Sequence, residues 1–167
     1  MNTQSESIKL TNIKKIIGSA ELSGINAIFI DNGIIVSGTN NGKEIDCTDC
    51  IVCPGFIDPQ INGIGDLNFW YLESEADFPK IDEAREKLAH DGVTGFLATV
   101  ITNKKEKIFK SIELISKYMK KQDQTPGAEI LGIHIEGIFI TKYGVHNERD
   151  ASKELNKQSI EDYITDE

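Results

Sequence analysis

Several features are scarce or missing in this sequence of 167 residues, and each shortage excludes a class of protein. No apolar stretch approaches the roughly 20 residues that cross a bilayer, so we expect no membrane protein. The polar start, Met1 to Ser7, lacks the basic-then-apolar layout of a secretory signal, so a cytoplasmic protein is expected. The formal net charge is −9, and the one basic run, Lys104 to Lys121, is interleaved with acidic residues. Nucleic-acid binding is therefore not expected.

Cysteine is also scarce, with three residues at C-x2-C-x2-C spacing: Cys47, Cys50 and Cys53. An iron–sulfur run of this kind needs a fourth cysteine, which the sequence lacks. Three thiols in a chain without a signal peptide argue against a disulfide framework. The segment fits a short strand, where small, half-buried cysteines are ordinary. A thiol metal-binding module remains an alternative, and it would require stoichiometric metal on these three residues.

The first part of the sequence has the pattern of β structure. Asn32-Gly33 stands between two apolar runs and predicts a hairpin, because this pair supplies the positive φ angles of a tight primed turn. Short strands with Gly and Asn turns predict a small antiparallel sheet or sandwich. The predicted strands cover 8–17, 27–30, 34–36 and 44–52.

After Pro54-Gly55 the pattern changes to alternating strands and helices. This order predicts parallel pairing with right-handed crossovers. Because these strands are apolar almost throughout, we expect them to be buried on both faces, as in α/β barrels and doubly wound sheets. The predicted strands are 56–62, 93–101 and 129–136; the predicted helices are 80–90, 104–121 and one starting near Ser152.

Polar side chains stand at the ends of two of these strands. Asp58, Gln60 and Asn62 alternate on the first strand, and His134 and Glu136 alternate on the third, so each set shares a face. A His-x-Glu at the end of an apolar strand is costly to bury unless it binds a metal, a partner or a substrate. A hydrogen-bonded pair at a sheet margin is the alternative, but two such strands in one series favour a site. The second strand ends in polar, chemically quiet side chains: Thr99, Thr102 and Asn103.

Three segments resemble those of one known family, the N-acetylglucosamine-6-phosphate deacetylases. Residues 54–63, PGFIDPQING, are similar to a variant of the amidohydrolase PGFID-x-H-x-H signature in which Gln and Asn replace both His. Residues 92–102, GVTGFLATVIT, resemble the family's GVT-x-x-x-PT-x-x-T segment. Residues 131–137, LGIHIEG, with 144–147, GVHN, resemble its G-x-H-x-EGP…KG-x-HN stretch, with Ile138 in place of the usual Pro. The resemblance covers about residues 8–150.

The resemblance implies an α/β fold, a (β/α)8 TIM-type barrel with a small β-sandwich. Residues 1–53 would supply N-terminal strands of the sandwich, and residues 54–167 the first three or so βα units of an incomplete barrel. The implied reaction is metal-dependent hydrolysis of the acetamide of N-acetylglucosamine 6-phosphate to glucosamine 6-phosphate and acetate, in amino-sugar catabolism. We expect a homo-oligomer in the complete enzyme.

The resemblance also assigns roles to single residues. It implies one divalent metal ion, zinc or similar, held by Glu136 and by two His from later strands. Val145 and His146 would bind the substrate. Replacing the paired His by amides fits the single-metal subtype, since amides are poor ligands for a second zinc. The residues expected to line the site are Gln60, Asn62 and His134.

The remaining machinery of the family is missing from the 167 residues. His90, His134 and His146 are the only histidines, and His90 falls at the end of a predicted surface helix. The other ligands and the catalytic Asp would lie beyond Glu167, so we expect the chain alone to be inactive. It is either the N-terminal segment of an active deacetylase, truncated, or a non-catalytic remnant of the family. A dihydroorotase-like amidohydrolase is disfavoured by the loss of the paired His.

Overall fold

A computed structural model describes residues 7–18, 24–38 and 41–137. The chain forms two compact units, Met1–Pro54 and Gly55–Glu167. The predicted helix near Ser152, together with Val145 and His146, lies outside the described residues. None of the helices in the described ranges combines the length and apolarity that crossing a membrane needs.

The first unit contains a mixed sheet in the order β4-β3-β1-β5. β1 pairs antiparallel with β3 but parallel with β5, and β2 pairs parallel with β6. The predicted antiparallel pairing therefore holds for β1 with β3 and for β3 with β4, but it is wrong for β1 with β5 and for β2 with β6. The β3–β4 hairpin intervenes in sequence between β1 and β5, which run in the same direction. The strands are β1 Ser7–Thr11, β2 Lys15–Ile16, β3 Ile28–Asp31, β4 Ile34–Val36, β5 Lys43–Asp46 and β6 Ile51–Val52.

The predicted hairpin joins β3 to β4. Asn32 and Gly33 have φ angles of 50° and 78°, as the two central residues of a type I′ turn require. This tight turn brings Ile34 opposite Asp31. Beneath the sheet, Ile13, Ile28 and Cys47 form a small buried core.

The second unit contains a parallel three-stranded sheet in the order β11-β10-β7, with helices between the strands in sequence. The α/β class is confirmed. A short hairpin, β8–β9, follows β7. The elements are β7 Phe56–Ile61, β8 Gly63–Ile64, β9 Leu67–Asn68, α1 Phe78–His90, β10 Val93–Ile101, α2 Lys105–Met119 and β11 Glu129–Glu136; 3₁₀ turns span Phe69–Tyr71, Glu75–Asp77 and Gln122–Gln124.

Both helices pack an apolar stripe on the sheet. The spacing of Ile81, Ala84 and Leu88 predicts one apolar face on α1, and all three are buried. Gly92 ends the connection to β10 with a φ of 87°. On α2 the apolar spacing of Ile108, Ile112, Ile115 and Met119 predicts one buried stripe, and the observed stripe is rotated from it. Ile108 and Ile115 are buried, but Ile112 and Met119 are only partly so, and the inner positions go to residues that the apolar spacing did not select. Those residues are Ser111, Leu114 and Tyr118.

The central strand and the edge strand differ in burial. On β10, Phe96, Ala98 and Val100 are fully buried in the core beneath the helices. On β7, Phe56 and Ile57 are 61% and 66% exposed. The expectation of burial on both faces is therefore wrong for β7, which has a strand on only one side among the described residues.

Candidate metal centre

The main chain around Glu136 is fixed by the central strand. Glu136 is the last residue of β11, and in the parallel register it lies opposite Ile101 of β10. The Thr102 hydroxyl donates to the Glu136 carbonyl at 3.4 Å and to the Gly137 carbonyl. Thr102 was expected to be chemically quiet, yet it ties the two strand ends together. Its position one residue beyond the end of β10 is the signal that could have indicated this role.

Two amide side chains converge on the Glu136 carboxylate. Gln60 Nε2 and Asn62 Nδ2 each donate to Glu136 Oε2 at 2.9 Å. β7 and β11 are not neighbours, so these contacts reach across β10, which lies between them. Asp58 does not join the cluster: its Oδ1 accepts the backbone N–H of Gln60 at 2.9 Å. The structure therefore brings together Gln60, Asn62 and Glu136.

His134 lies two residues before Glu136 on β11, opposite Thr99 of β10. Its Nδ1 is buried and has no hydrogen-bond partner within the described part of the chain. Leaving a buried polar atom unpaired costs about 1–3 kcal/mol. Because His134 is two residues before Glu136, the two side chains lie on the same face of β11. The unpaired ring nitrogen is therefore suited to bind a ligand beside the Glu136 carboxylate.

Two other chemistry-bearing features do not contribute to this cluster. The His90 side chain is 88% exposed and lies 3.5 Å from the Asp91 carboxylate. Across residues 7–18, 24–38 and 41–137, no three His, Cys, Asp or Glu side chains converge where they could hold a metal ion. The three cysteines, all within those ranges, are therefore not placed together as the alternative thiol metal module would require.

The donors at Glu136 fit one part of a metal site. A carboxylate oxygen is a suitable ligand for zinc and other divalent cations. Hydrogen bonds from neighbouring side chains are the usual means of orienting such a ligand. A catalytic zinc site typically uses three protein ligands, and the described residues place one anionic donor here.

Sequence comparison finds curated proteins that are similar to this chain. The N-acetylglucosamine-6-phosphate deacetylase of Bos taurus is 39% identical over 108 residues, which cover 64% of this chain and 25% of the relative. The Caenorhabditis elegans enzyme of the same name is 37% identical over 125 residues, which cover 71% of this chain and 28% of that enzyme. The chain is related to the N-terminal portion of the N-acetylglucosamine-6-phosphate deacetylases.

The fold agrees with that relationship. The crystal structure of the Pasteurella multocida deacetylase matches 95% of this chain with a TM-score of 0.68 at 22% identity, and the match covers 41% of that structure. No protein-family model matches the chain. The chain spans about a quarter of the length of the curated deacetylases it matches.

Proposed function

We propose that this chain supplies the N-terminal part of a metal-dependent deacetylase that hydrolyses the acetamide of N-acetylglucosamine 6-phosphate. The products would be glucosamine 6-phosphate and acetate, in amino-sugar catabolism. The observation that carries the proposal is the convergence of Gln60 and Asn62 on the Glu136 carboxylate, in a chain related to these deacetylases. These amides occupy the positions at which related amidohydrolase signatures have His.

The three parallel strands would be the first of a (β/α)8 barrel, and the N-terminal strands would belong to a small β-sandwich. Parallel register across β7, β10 and β11, with α1 and α2 as crossovers, supports the first assignment. In such barrels, side chains at the carboxyl ends of the strands form the active site. Glu136 ends β11, and Asn62 directly follows β7.

Amide hydrolysis needs a polarised carbonyl, a water nucleophile and a proton for the leaving amine. A divalent cation, zinc or similar, supplies Lewis-acid polarisation of the carbonyl when bound. Glu136 would be its ligand from this chain, and Gln60 and Asn62 would fix the carboxylate's orientation. Because both amides are neutral donors toward Glu136, they orient it without adding charge. Val145 and His146 would contact the substrate, and His134 would line the site.

The 167-residue polypeptide alone is expected to show no turnover. Its sequence contains three histidines, and one of them, His90, is on the surface. One carboxylate cannot by itself hold a catalytic divalent cation tightly. The non-catalytic remnant remains the competing interpretation, and the cytoplasmic location and the homo-oligomer remain predictions.

A chimera tests the proposal. Residues 1–137 replace the matching segment of the Bos taurus deacetylase, and acetate release and bound zinc are measured. We expect activity and about one zinc per chain, and we expect Glu136→Gln to lower both by about 100-fold, because it removes an anionic ligand. Glu129→Gln is the matched control, since Glu129 is the exposed first residue of the same strand.

Retention of zinc and activity by the Glu136→Gln chimera would show that the assignment of Glu136 is wrong. Folding of the chimera is judged by circular dichroism and a cooperative melt. A folded chimera that neither binds zinc nor releases acetate would favour the interpretation as a non-catalytic remnant. Acetate release by the 167-residue chain with added zinc would contradict the predicted inactivity.

A further inference from the structure

The cysteine motif contains the C-x2-C spacing twice, and the structure gives the two copies different geometry. Between Cys47 and Cys50 the chain turns: the Cys50 N–H donates to the Cys47 carbonyl at 2.8 Å, and Asp49 has a φ of 66°. Between Cys50 and Cys53 the chain is extended as β6. Equal spacing in the sequence therefore produces one bent pair and one straight pair.

Only the bent pair meets the geometric demands of a disulfide. A β-turn with this hydrogen bond holds its first and fourth Cα atoms within about 7 Å. Disulfides join Cα atoms about 4.4–6.8 Å apart. Along a strand, three residues of advance separate two Cα atoms by about 10 Å, so Cys50 and Cys53 are outside that range.

The turn is held in place by neighbouring groups. The Cys47 N–H donates to the Thr11 carbonyl at 2.8 Å. The Asp46 carboxylate accepts the Thr48 N–H at 3.0 Å and the Thr48 hydroxyl at 2.7 Å. The turn geometry is therefore fixed in the folded protein before any bond forms between the sulfur atoms.

The two thiols differ in access. Cys47 is 7% exposed and packs in the small core, whereas Cys50 is exposed. Burial raises the pKa of the Cys47 thiol, and the neighbouring Cys50 and Asp46 raise it further. The Cys50 thiol lies within hydrogen-bonding reach of Cys47. A dissolved oxidant therefore meets Cys50 first, with Cys47 directly behind it.

We propose that Cys47 and Cys50 form a reversible disulfide when the chain meets a low-molecular-weight disulfide such as oxidised glutathione. The Cys50 thiolate attacks one sulfur of the oxidant and releases one glutathione thiolate, which leaves a mixed disulfide. The Cys47 thiolate then attacks the Cys50 sulfur and expels the second glutathione. Both cysteine protons pass to the two glutathione thiolates, so the chain is oxidised by two electrons and the reagent is reduced.

This site is independent of the proposed deacetylase function. It also differs from a structural disulfide framework, which a cytoplasmic chain is not expected to have. Disulfides in cytosolic proteins are usually transient and redox-sensing, and an exposed thiol with a resolving partner is typical of such sensors.

Peptide mapping can identify the pair, because aspartates flank the cysteines. The folded 167-residue chain is treated with oxidised glutathione, quenched in acid, alkylated, and cut with a peptidase that cleaves before Asp. Cleavage before Asp46, Asp49 and Asp58 yields 46–48, with Cys47, and 49–57, with the other two cysteines. We expect these peptides to be linked, to lose two hydrogen atoms, to keep one alkylated cysteine, and to separate on reduction.

Variants and an unfolded control complete the test. Cys53→Ser should retain the linkage, whereas Cys50→Ser should remove it and slow modification of the buried Cys47 by about tenfold or more. In concentrated urea the two equal spacings compete, so a loop within 49–57 should appear beside the linked peptides. A stable glutathione adduct on Cys50 with Cys47 still alkylated, a native Cys50–Cys53 loop, or linked peptides in Cys50→Ser would each overturn the proposal.

Discussion

Two polar clusters lie at opposite ends of the three-stranded sheet, and they are built in different ways. At the amino end of β11, Arg85 is 3% exposed and surrounded by oxygen atoms of the protein. At the carboxyl end, Glu136 receives two side-chain amides, and His134 beside it has a buried Nδ1 without a partner in the described part of the chain. A cluster whose donors are satisfied internally stabilises the fold, whereas one with an unsatisfied buried atom suits a ligand.

The contacts of Arg85 show how complete the first cluster is. Its guanidinium links α1 to the segment that enters β11. Two of the hydroxyls that accept from it, those of Tyr118 and Thr125, in turn donate to the Asp82 carboxylate. Such a buried cation is tolerable because oxygens surround it. The acceptors are the Ala128 carbonyl at 2.7 Å and, at 2.9 Å each, the Tyr118 hydroxyl, the Gln122 carbonyl and the Thr125 hydroxyl.

Arg85→Ala should have the largest effect on stability. It leaves the buried carbonyls of Ala128 and Gln122 without this donor and opens a cavity, so we expect the free energy of unfolding to fall by about 3 kcal/mol or more. Urea titration followed by circular dichroism measures the change. Lys87→Ala, an exposed cation on the same helix, should change it by about 0.5 kcal/mol or less. Equal effects of the two substitutions would show that the Arg85 cluster does not stabilise the fold.

Gly127→Ala tests how closely the same cluster is packed. Gly127 has a φ of 137°, and an added Cβ would lie 2.7 Å from the Arg85 Cβ and 2.8 Å from its carbonyl carbon. Strain and overlap together should cost about 2 kcal/mol in the same titration. Gly132→Ala in β11 is the control, because its new Cβ would meet Leu97 at an ordinary 3.4 Å. A tolerated Gly127→Ala would mean that the segment can move away from Arg85.

The Glu136 cluster should show a smaller coupling. Asn62→Ala, Glu136→Ala and the double variant form a cycle, in which we expect an interaction free energy of about 1 kcal/mol, the usual net value of such a hydrogen bond. Each single variant should destabilise the chain far less than Arg85→Ala. A coupling near zero would mean that Asn62 does not hold the carboxylate in solution.

The two clusters also differ in how far the sequence could reveal them. Alternation along β7 and β11 indicated that Gln60, Asn62 and Glu136 share a face, because side-chain direction in a strand depends only on position. Arg85 gave no such signal: a charged residue beside Ala84 on an amphipathic helix looks like a solvated one. Its burial depends on residues more than 30 positions away, which local patterns do not specify.

Long-range pairing limited the prediction of the fold in the same way. The bounds of β10 and β11 agree with the apolar runs at 93–101 and 129–136, and the Asn32-Gly33 turn was fixed by its own backbone preference. The parallel pairing of β1 with β5 was not predictable, because no local feature records which strand lies on the free side of β1. The sequence therefore predicts structure that depends on local backbone preferences. It does not predict which distant strands pair with each other.

An effect confined to alkaline pH is expected in the pH dependence of stability, through Tyr118. Burial, and then the hydrogen bond to Asp82, raise the pKa of this phenol above its ordinary value of 10.0, although Arg85 opposes the shift. As the pH rises past 10, the unfolded chain loses this proton first, so the folded state binds more protons and stability falls. Tyr118→Phe removes that contribution, so the wild type's advantage over the variant should shrink by up to about 1.4 kcal/mol per pH unit between the two pKa values. Urea titrations of both proteins from pH 8 to about 11 measure the difference, and a constant gap between the two curves would show that the buried cluster leaves Tyr118 free to ionise.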